Sequence, residues 1–546
     1  MVRTIYAGGT IVPLSPTGPP EAEALAVDEH GRIAAIGARD DVLALKGRGT
    51  TVVDLDAGHA VIPGFVEAHG HPVQVALNLA PPAVDVRPFT APTADAVRDR
   101  IRAAVAATPR GTPLLFCGID PLLQRGLERP TMASLDALAP DHPVVVVANS
   151  LHAAYGNRRM FHLAGITEAT SDPPGAEYLR HDGALTGEVR ETAAVFRLTA
   201  PVHAARPGSL TDALRWAYGE YARAGFTTVG ELAYDARLGP VMAGLAAEEG
   251  CPVRVRAYRI GTPELAADPD HRPGPRRPSS ALFAEVGVKL WADGSPWIGN
   301  VATSFPYLDS DATRALGLGP CHHGPMNYEP AELAGLVDGF DAHGWQTAVH
   351  VHGDVGVDAV LDALERATTA RSRPDRRARL EHCGAMRPDQ FRRAAALGAT
   401  VSLFVAHLHH WGDVLVDDLF GPELGARWMA ARSALDAGLR ISLHNDGTVT
   451  PPDPLGSVAT AVTRRAGGSG RVLAPEERIT VDQALRAVTT DAAWQLGLDD
   501  VGRLEVGAPA DLVVLSADPR RVPPDELAGI RVVETALGGG LTKAEC

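Results

Sequence analysis

The chain contains very little lysine. Only Lys46, Lys289 and Lys543 are lysines, although lysine and arginine together number 51 among the 546 residues. Arginine serves wherever a site needs only a positive charge or an ion pair. A lysine inside an otherwise apolar segment is therefore expected to perform chemistry that arginine cannot.

Acidic residues outnumber basic ones, and the formal net charge is −15. This charge argues against nucleic acid or an anionic membrane as the main partner. No segment approaches the ~20 successive apolar residues of a membrane span. The first residues, Met1 to Ile11, lack the apolar core and cleavage site of a signal peptide. We therefore expect a cytoplasmic protein that acts on a small molecule.

Cysteine is scarce, and no CxxC pair occurs. The five cysteines are scattered, which is typical of free thiols in a protein without disulfides: Cys117, Cys251, Cys321, Cys383 and Cys546. Hydrophobic residues make up 45% and charged residues 21%, as in folded globular proteins. The length predicts a large domain with a smaller companion.

Both ends of the chain have the texture of antiparallel β structure. In 1–58 and 500–546, short apolar runs alternate with turn residues. We predict that these two segments form one small β-sandwich domain. The larger domain then occupies 59–499.

The middle of the chain alternates β-branched runs with helical patterns, which is typical of parallel βα units. Eight runs are candidate strands of a (β/α)₈ TIM barrel: 60–69, 226–232, 252–258, 287–294, 346–353, 378–383, 399–404 and 440–446. The long interval after the first run predicts an insertion at about 84–205. The Gly- and Pro-rich segment 296–325 is predicted to be an active-site loop, and 272–280 a solvated loop.

Residues that bind metals stand where these strands end, which is where barrels carry their active sites. His69 and His71 end the first strand, and because alternate residues of a strand point the same way, such a pair can chelate one ion. Three further strands end in similar residues: His350 and His352, His382, and Asp446. Their recurrence on four strands predicts a divalent-cation site.

Lys289 lies in the fourth strand, within GVKLWADG, on the same face as Trp291 and Asp293. An unpaired ammonium group in such an apolar segment is costly. One interpretation is an ion pair with Asp293. The other is a carbamate formed from CO₂, a carboxylate that bridges two cations and that only lysine provides. The scarcity of lysine elsewhere favours the carbamate.

Seven segments together resemble, in order, the amidohydrolase superfamily, and in particular its YtcJ-like group, which includes N-substituted formamide deformylases: VIPGFVEAHGH, VKLWADGS, HVHGD, RLEHC, HWGD, NDGTVTPPDPL and GRLEVGAPADLVVL. The resemblance spans nearly the whole chain and implies the barrel and terminal sandwich described above. It also implies that His69 and His71 hold one cation, Lys289 bridges, and His350 and His382 hold a second. Asp446 is implied as a ligand and proton shuttle, and we take Asp446 and His382 as the catalytic residues.

The chain departs from the family pattern in two places. Glu67 replaces the usual aspartate before the first histidine, and HND replaces the commoner GSD, which gives His444 a possible contact with substrate. Asn157 and His152 lie in a segment similar to one near the family's active-site mouth. Our substrate-binding candidates are Trp291, Asp293, Trp297, His352, His407, Trp411, His444 and His152.

The predicted reaction is hydrolysis of a C–N bond, in an amide or an N-acyl or N-formyl group, by a cation-activated water with Asp446 transferring the proton. One or two cations are expected, with zinc first and manganese, iron and nickel open. Deamination, decarboxylation, ring closure and isomerisation are alternatives at the same site, and a non-catalytic relative is a further one. A homodimer is the default assembly.

Overall fold

The computed structural model describes residues 1–173, 175–268 and 281–541. Segment 272–280 and Cys546 lie outside the described residues, and the four described cysteines are free thiols. The strands form three sheets, namely a barrel, a sheet built from both ends of the chain, and a sheet in the insertion.

The central sheet has eight parallel strands in sequence order and is a nearly closed barrel, which confirms the predicted fold class. Its strands are Phe65–Gly70, Phe226–Tyr234, Arg254–Ile260, Phe283–Trp291, Gln346–Val351, Arg379–His382, Thr400–Leu403 and Ile441–Leu443. We number them barrel strands one to eight. All eight predicted runs overlap one of these strands.

The helix Arg39–Leu43 packs on the sheet formed by the ends of the chain. The insertion contains the helices Ala94–Ala107, Met132–Leu138, Arg158–Leu163 and Thr192–Ala204. The other helices precede or follow the barrel strands: Pro72–Asn78, Leu210–Arg223, Gly239–Ala246, Pro263–Ala267, Asp311–Ala315, Pro330–Ala342, Asp354–Ala370, Pro388–Ala396, Ala406–Val414, Gly421–Leu424, Ala431–Asp436, Pro454–Thr463, Val481–Ala487 and Thr490–Gln495. Thr480 and Gln483 form the capping box that their spacing predicts. Within the described ranges, no helix has both the length and the apolar character needed to cross a bilayer.

The two ends of the chain form one eight-stranded mixed sheet: Val2–Ile11, Ala22–Asp28, Ile33–Gly37, Thr51–Asp54, Ala60–Pro63, Leu512–Leu515, Val532–Leu537 and Gly540–Leu541. The predicted single strand 60–69 is therefore wrong, as is the boundary after residue 58. Ala60–Pro63 pairs with Leu512–Leu515, and the barrel begins only at Phe65. Gly64 separates the two strands, and a Cβ there would lie 2.3 Å from the Thr227 side chain.

A buried ion pair joins the barrel to this terminal sheet. Arg254 Nη1 of barrel strand three lies 2.7 Å from Asp511 Oδ2, and both side chains are almost fully buried. The backbone of Gly538 donates to the other carboxylate oxygen of Asp511. One aspartate thus links the barrel to two segments of the C-terminal part of the chain.

The substitution Asp511→Asn is expected to lower the free energy of unfolding by about 3–5 kcal/mol, because it removes one partner of a buried ion pair. Urea denaturation followed by circular dichroism measures the change. As a control, Glu248→Gln breaks an exposed pair with Arg215 and should change stability by less than about 1 kcal/mol. Equal effects of the two substitutions would contradict this account of the domain junction.

The insertion contains a six-stranded sheet between residues 84 and 190: Val84–Asp85, Leu114–Ile119, Val144–Ala148, Ala153–Gly156, Glu177–His181 and Ala184–Arg190. Arg87 and Asn149 donate side-chain hydrogen bonds to the carbonyls of Thr448 and Val449, at 2.9 and 3.0 Å. These contacts hold the insertion against the loop that follows barrel strand eight. The insertion therefore forms one wall of the region where the barrel strands end.

Candidate metal centre

The metal-binding side chains predicted from the sequence converge at the carboxyl ends of the barrel strands. Three groups have ligand atoms within 4.8 Å of one another: His69, His71 and Asp446; His350, His352 and His382; and His69, His382 and His444. Residues from strands one, five, six and eight thus meet although they are far apart in the sequence. This is the arrangement that the barrel topology predicts.

The first group has the geometry of a chelating pair with a carboxylate. Nε2 of His71 lies 3.1 Å from Oδ1 of Asp446, and Nε2 of His69 lies 3.6 Å from the same oxygen. Oδ2 of Asp446 is 4.0 Å from Nδ1 of His382. Asp446 therefore stands between the histidine pair and the second group of histidines.

The charge states of three of the histidines and of Asp446 suit a divalent cation. His71 differs, because Asp446 and Glu231 raise its pKa to about 9 although burial opposes its charge. Burial holds the pKa of His69, His350 and His382 well below the usual histidine value, so these rings offer neutral lone pairs. Although burial opposes ionisation of Asp446, its hydrogen bond with His71 and the nearby positive groups lower its pKa. Neutral imidazoles around an anionic carboxylate form a donor set that fits zinc and related ions.

Lys289 lies in the middle of this cluster and is almost fully buried, with Nζ 3.2 Å from Nε2 of His69. Burial lowers its pKa to about 8. The ion pair with Asp293 is not formed, because the Asp293 carboxylate accepts hydrogen bonds from the backbone amides of Ala302, His352 and Gly353. The Lys289 amine therefore contacts the histidine cluster and does not form the ion pair with Asp293.

The backbone is strained at two of the converging residues. His382 has φ of +72° and Asp446 has φ of +52°, in the left-handed region that side chains other than glycine seldom adopt. Such conformations cost about 1–3 kcal/mol each and are typical of functional sites. Here they turn the chain at the ends of strands six and eight.

A cavity of about 100 Å³ opens beside the cluster. Its polar lining consists of His69, His71, Gln74, Ser150, His152, Thr192, Lys289, His350, His382 and Asp446, and its other lining residues are Leu151, Phe196, Ala233, Ile260, Trp291 and Val449. Of the eight substrate-binding candidates, His152 and Trp291 lie on this wall. Nδ1 of His152 donates to Glu191 Oε2 at 2.8 Å, and Glu191 in turn accepts from Asn300.

Three other candidates lie in the core instead. Trp297 stacks on Trp411 with ring centroids 4.9 Å apart, and its edge meets His407 at 4.8 Å. All three side chains are buried and lie outside the lining of this cavity. Nε1 of Trp411 donates to Asp120 of the insertion, which fixes the ring between the two units. In this structure the three side chains pack against one another, and a contact with substrate stays a prediction.

The remaining candidates also lie outside the cavity lining. Asp293 holds backbone amides, as described above. His352 stacks on His382, and His444 contacts Ser402 through Nδ1 and His382 through Nε2. Asn157 is a buried helix N-cap whose side chain accepts from the Met160 amide, so its predicted place at the mouth is wrong.

Three glutamates near the cluster were not predicted as site residues. Only Glu67 was noted, because it replaces the usual aspartate. Glu67 accepts hydrogen bonds from the backbone and side chain of Asn445, next to Asp446, and burial raises its pKa to about 8. Glu231 and Glu381 approach His71 and His69. Each of these glutamates lies in a barrel strand near its carboxyl end, and this position in the sequence could have indicated a site residue.

The family model of the amidohydrolase family matches residues 51–542, which is most of the chain. The chain belongs to the amidohydrolase family. It is 28% identical to an N-substituted formamide deformylase of Arthrobacter pascens over 94% of this chain and 93% of that protein. It is 25% identical to the putative amidohydrolase YtcJ of Bacillus subtilis, over 98% and 99%.

This amidohydrolase also shares its fold with a solved structure. An uncharacterised metal-dependent hydrolase from Pyrococcus horikoshii superposes with a TM-score of 0.73 at 22% identity, covering 95% of this chain and 99% of that one. Family membership and the histidine–carboxylate cluster together support a metal-dependent hydrolase with a divalent cation. The family match and the similarity to the formamide deformylase and to YtcJ support the predicted YtcJ-like group.

Proposed function

We propose that this amidohydrolase cleaves the C–N bond of a small N-acyl or N-formyl amide. The observation that carries the proposal is the convergence of His69, His71 and Asp446 around shared ligand positions, with Lys289 beside them and an open cavity alongside. The similarity to a protein named for deformylation supports an amide substrate. Histidine and carboxylate donors support zinc as the cation.

A divalent cation at this centre supplies two things when bound, a lowered pKa for water and polarisation of a carbonyl oxygen. The residues of the chain do the rest. The Asp446 carboxylate accepts a proton from the attacking water as the new C–O bond forms. It then donates that proton to the nitrogen, which takes the electron pair of the breaking C–N bond.

The cavity supports a small acyl group. The space of about 100 Å³ beside the histidines admits a small acyl group. Leu151, Phe196, Ile260 and Trp291 give this space an apolar side. We infer that a formyl or comparably small acyl group lies toward the histidines and that the amine substituent lies toward the apolar side chains.

A product assay tests the reaction class. Zinc-loaded protein is incubated with a panel of N-formyl, N-acetyl and longer N-acyl amines, and free amine and carboxylate are measured together. We expect equal amounts of both products, with the highest rates for the smallest acyl groups. Ammonia or CO₂ without free amine would indicate deamination or decarboxylation and overturn the proposal.

Removing the cation should abolish turnover and loosen the fold. After exhaustive chelation, we expect activity to fall by about 10²-fold or more, because the ligands alone activate water poorly. The melting temperature should fall too, since a ligand at 1,000 times its Kd stabilises the folded state by about 4 kcal/mol. Added zinc should restore both. Full activity in metal-free protein would contradict the proposed chemistry.

Further features remain predictions. These are the carbamate on Lys289, the number of cations, the cytoplasmic location and the homodimer. The lack of nucleic-acid or membrane partners is a prediction of the same kind.

A further inference from the structure

Two buried glutamates that are not proposed metal ligands lie beside the histidine pair, on the side away from Asp446. Glu381 comes from barrel strand six and Glu231 from barrel strand two. Each approaches the Nδ1 atom of one histidine, His69 or His71. The Nε2 atoms of both histidines point to the opposite side, toward Asp446.

The contact between Glu381 and His69 is a short hydrogen bond. Nδ1 of His69 lies 2.7 Å from Oε2 of Glu381, and both side chains are almost fully buried. The guanidinium of Arg379 lies 2.7 Å from the other carboxylate oxygen of Glu381. A carboxylate accepts hydrogen bonds, so Nδ1 of His69 donates to it. Nε2 then keeps its lone pair for a cation.

Glu231 has a similar position behind His71. Its Oε1 lies 3.7 Å from Nδ1 of His71, and neither of these two buried atoms has a hydrogen-bond partner among the described residues. Its Oε2 accepts the backbone N–H of Val73 at 2.7 Å. Glu231 thus holds the segment that follows His71 and presents a second acceptor to the ring.

We propose that Glu381 and Glu231 are positioning residues that set the orientation and tautomer of His69 and His71 for metal binding. The proposal rests on the proposed metal centre but concerns residues that bind neither cation nor substrate. Two carboxylates in an apolar interior are costly unless each has a partner. A shared role in directing Nε2 toward the cation explains why both lie opposite the Nδ1 atoms. Carboxylates behind ligating histidines typically raise metal affinity by 10–100-fold.

The test measures zinc affinity by competition with a chromogenic chelator, which needs no substrate. Glu231→Gln is the cleaner variant, because among the described residues the salt-bridge contact of Glu231 is with His71 and not with an arginine or lysine. Glu381→Gln would leave the Arg379 guanidinium buried without a counter-ion, so it is made together with Arg379→Met. We expect zinc to bind about 10–100-fold more weakly to each variant.

The matched control is Glu477→Gln, another buried carboxylate, which accepts hydrogen bonds from the backbone and hydroxyl of Ser433 away from the metal centre. This control substitution should lower the melting temperature without changing the zinc affinity. Absorption spectra of the cobalt-loaded proteins provide a second readout. We expect altered cobalt bands in the Glu231 and Glu381 variants and parental bands in the control.

The outcomes separate this proposal from the proposed function. Zinc affinity within about threefold of the parent in both positioning variants, with unchanged cobalt spectra, would overturn the positioning role and leave the metal centre standing. A parent protein that binds no zinc would overturn the metal centre itself. Weaker binding in the control as well would assign the effect to general loss of stability and also overturn the positioning role.

Discussion

Asp446→Asn is expected to lower kcat by about 10²–10⁴-fold, the usual contribution of a positioned proton-transfer group. Asparagine has the same shape and retains one oxygen for the 3.1 Å contact with His71 Nε2, but it cannot take a proton from water. Metal content should therefore remain close to that of the parent. Steady-state kinetics on the best N-acyl substrate, with metal analysis of the same sample, measure both effects.

Asp453→Asn provides the control for this substitution. Asp453 caps the helix Pro454–Thr463 by accepting from the Gly456 amide, and asparagine caps helices about as well as aspartate. Its activity should therefore match that of the parent. A near-normal kcat in the Asp446 variant would remove the proton shuttle from the mechanism.

Lys289→Ala is expected to lower kcat by on the order of 10²–10³-fold, the scale seen when one electrostatic contact to the reacting centre is lost. If Lys289 carries a carbamate that bridges two cations, the variant should also hold fewer zinc ions per chain. Formate or acetate in the space left by the side chain should restore part of the activity, because a small carboxylate replaces the missing bridge. Lys46→Ala, at an exposed lysine, should change nothing.

Each result for Lys289 has a distinct meaning. Loss of activity with unchanged zinc content and no rescue would retain a role for the amine and reject the carbamate. Unchanged activity would reject any role for Lys289. Arginine at this position would keep a positive charge but could not form the carbamate, so Lys289→Arg should be as inactive as the alanine variant.

Much of the metal centre could be predicted because its signals are local. A histidine pair two residues apart on one strand faces one side whatever the rest of the fold does, and a barrel brings strand ends together. His69, His71, His382 and Asp446 are therefore found from strand ends alone. Lys289 is found because lysine is so rare in this chain.

The substrate wall could not be predicted in the same way. Trp297, Trp411 and His407 lie on segments whose direction depends on how loops pack, and the structure turns them into the core. Thr192 and Phe196 reach the cavity from an insertion whose docking follows from distant contacts. The hydrogen bond between His69 and Glu381 joins residues 312 positions apart, and nothing local announces it.

The boundary between barrel and terminal sheet shows a third limit. The run AVIPGFVEAH is apolar throughout, so its pattern does not reveal that Ala60–Pro63 and Phe65–Gly70 belong to different sheets. The two strands pair with different partners, and Gly64 between them lies close to Thr227. Such a contact is visible only in three dimensions.

The most direct test is a crystal structure of the zinc-loaded protein with anomalous diffraction measured on both sides of the zinc absorption edge. We expect a zinc peak within bonding distance of Nε2 of His69, Nε2 of His71 and a carboxylate oxygen of Asp446. Strong zinc peaks elsewhere, with no anomalous signal between these three side chains, would contradict the central claim.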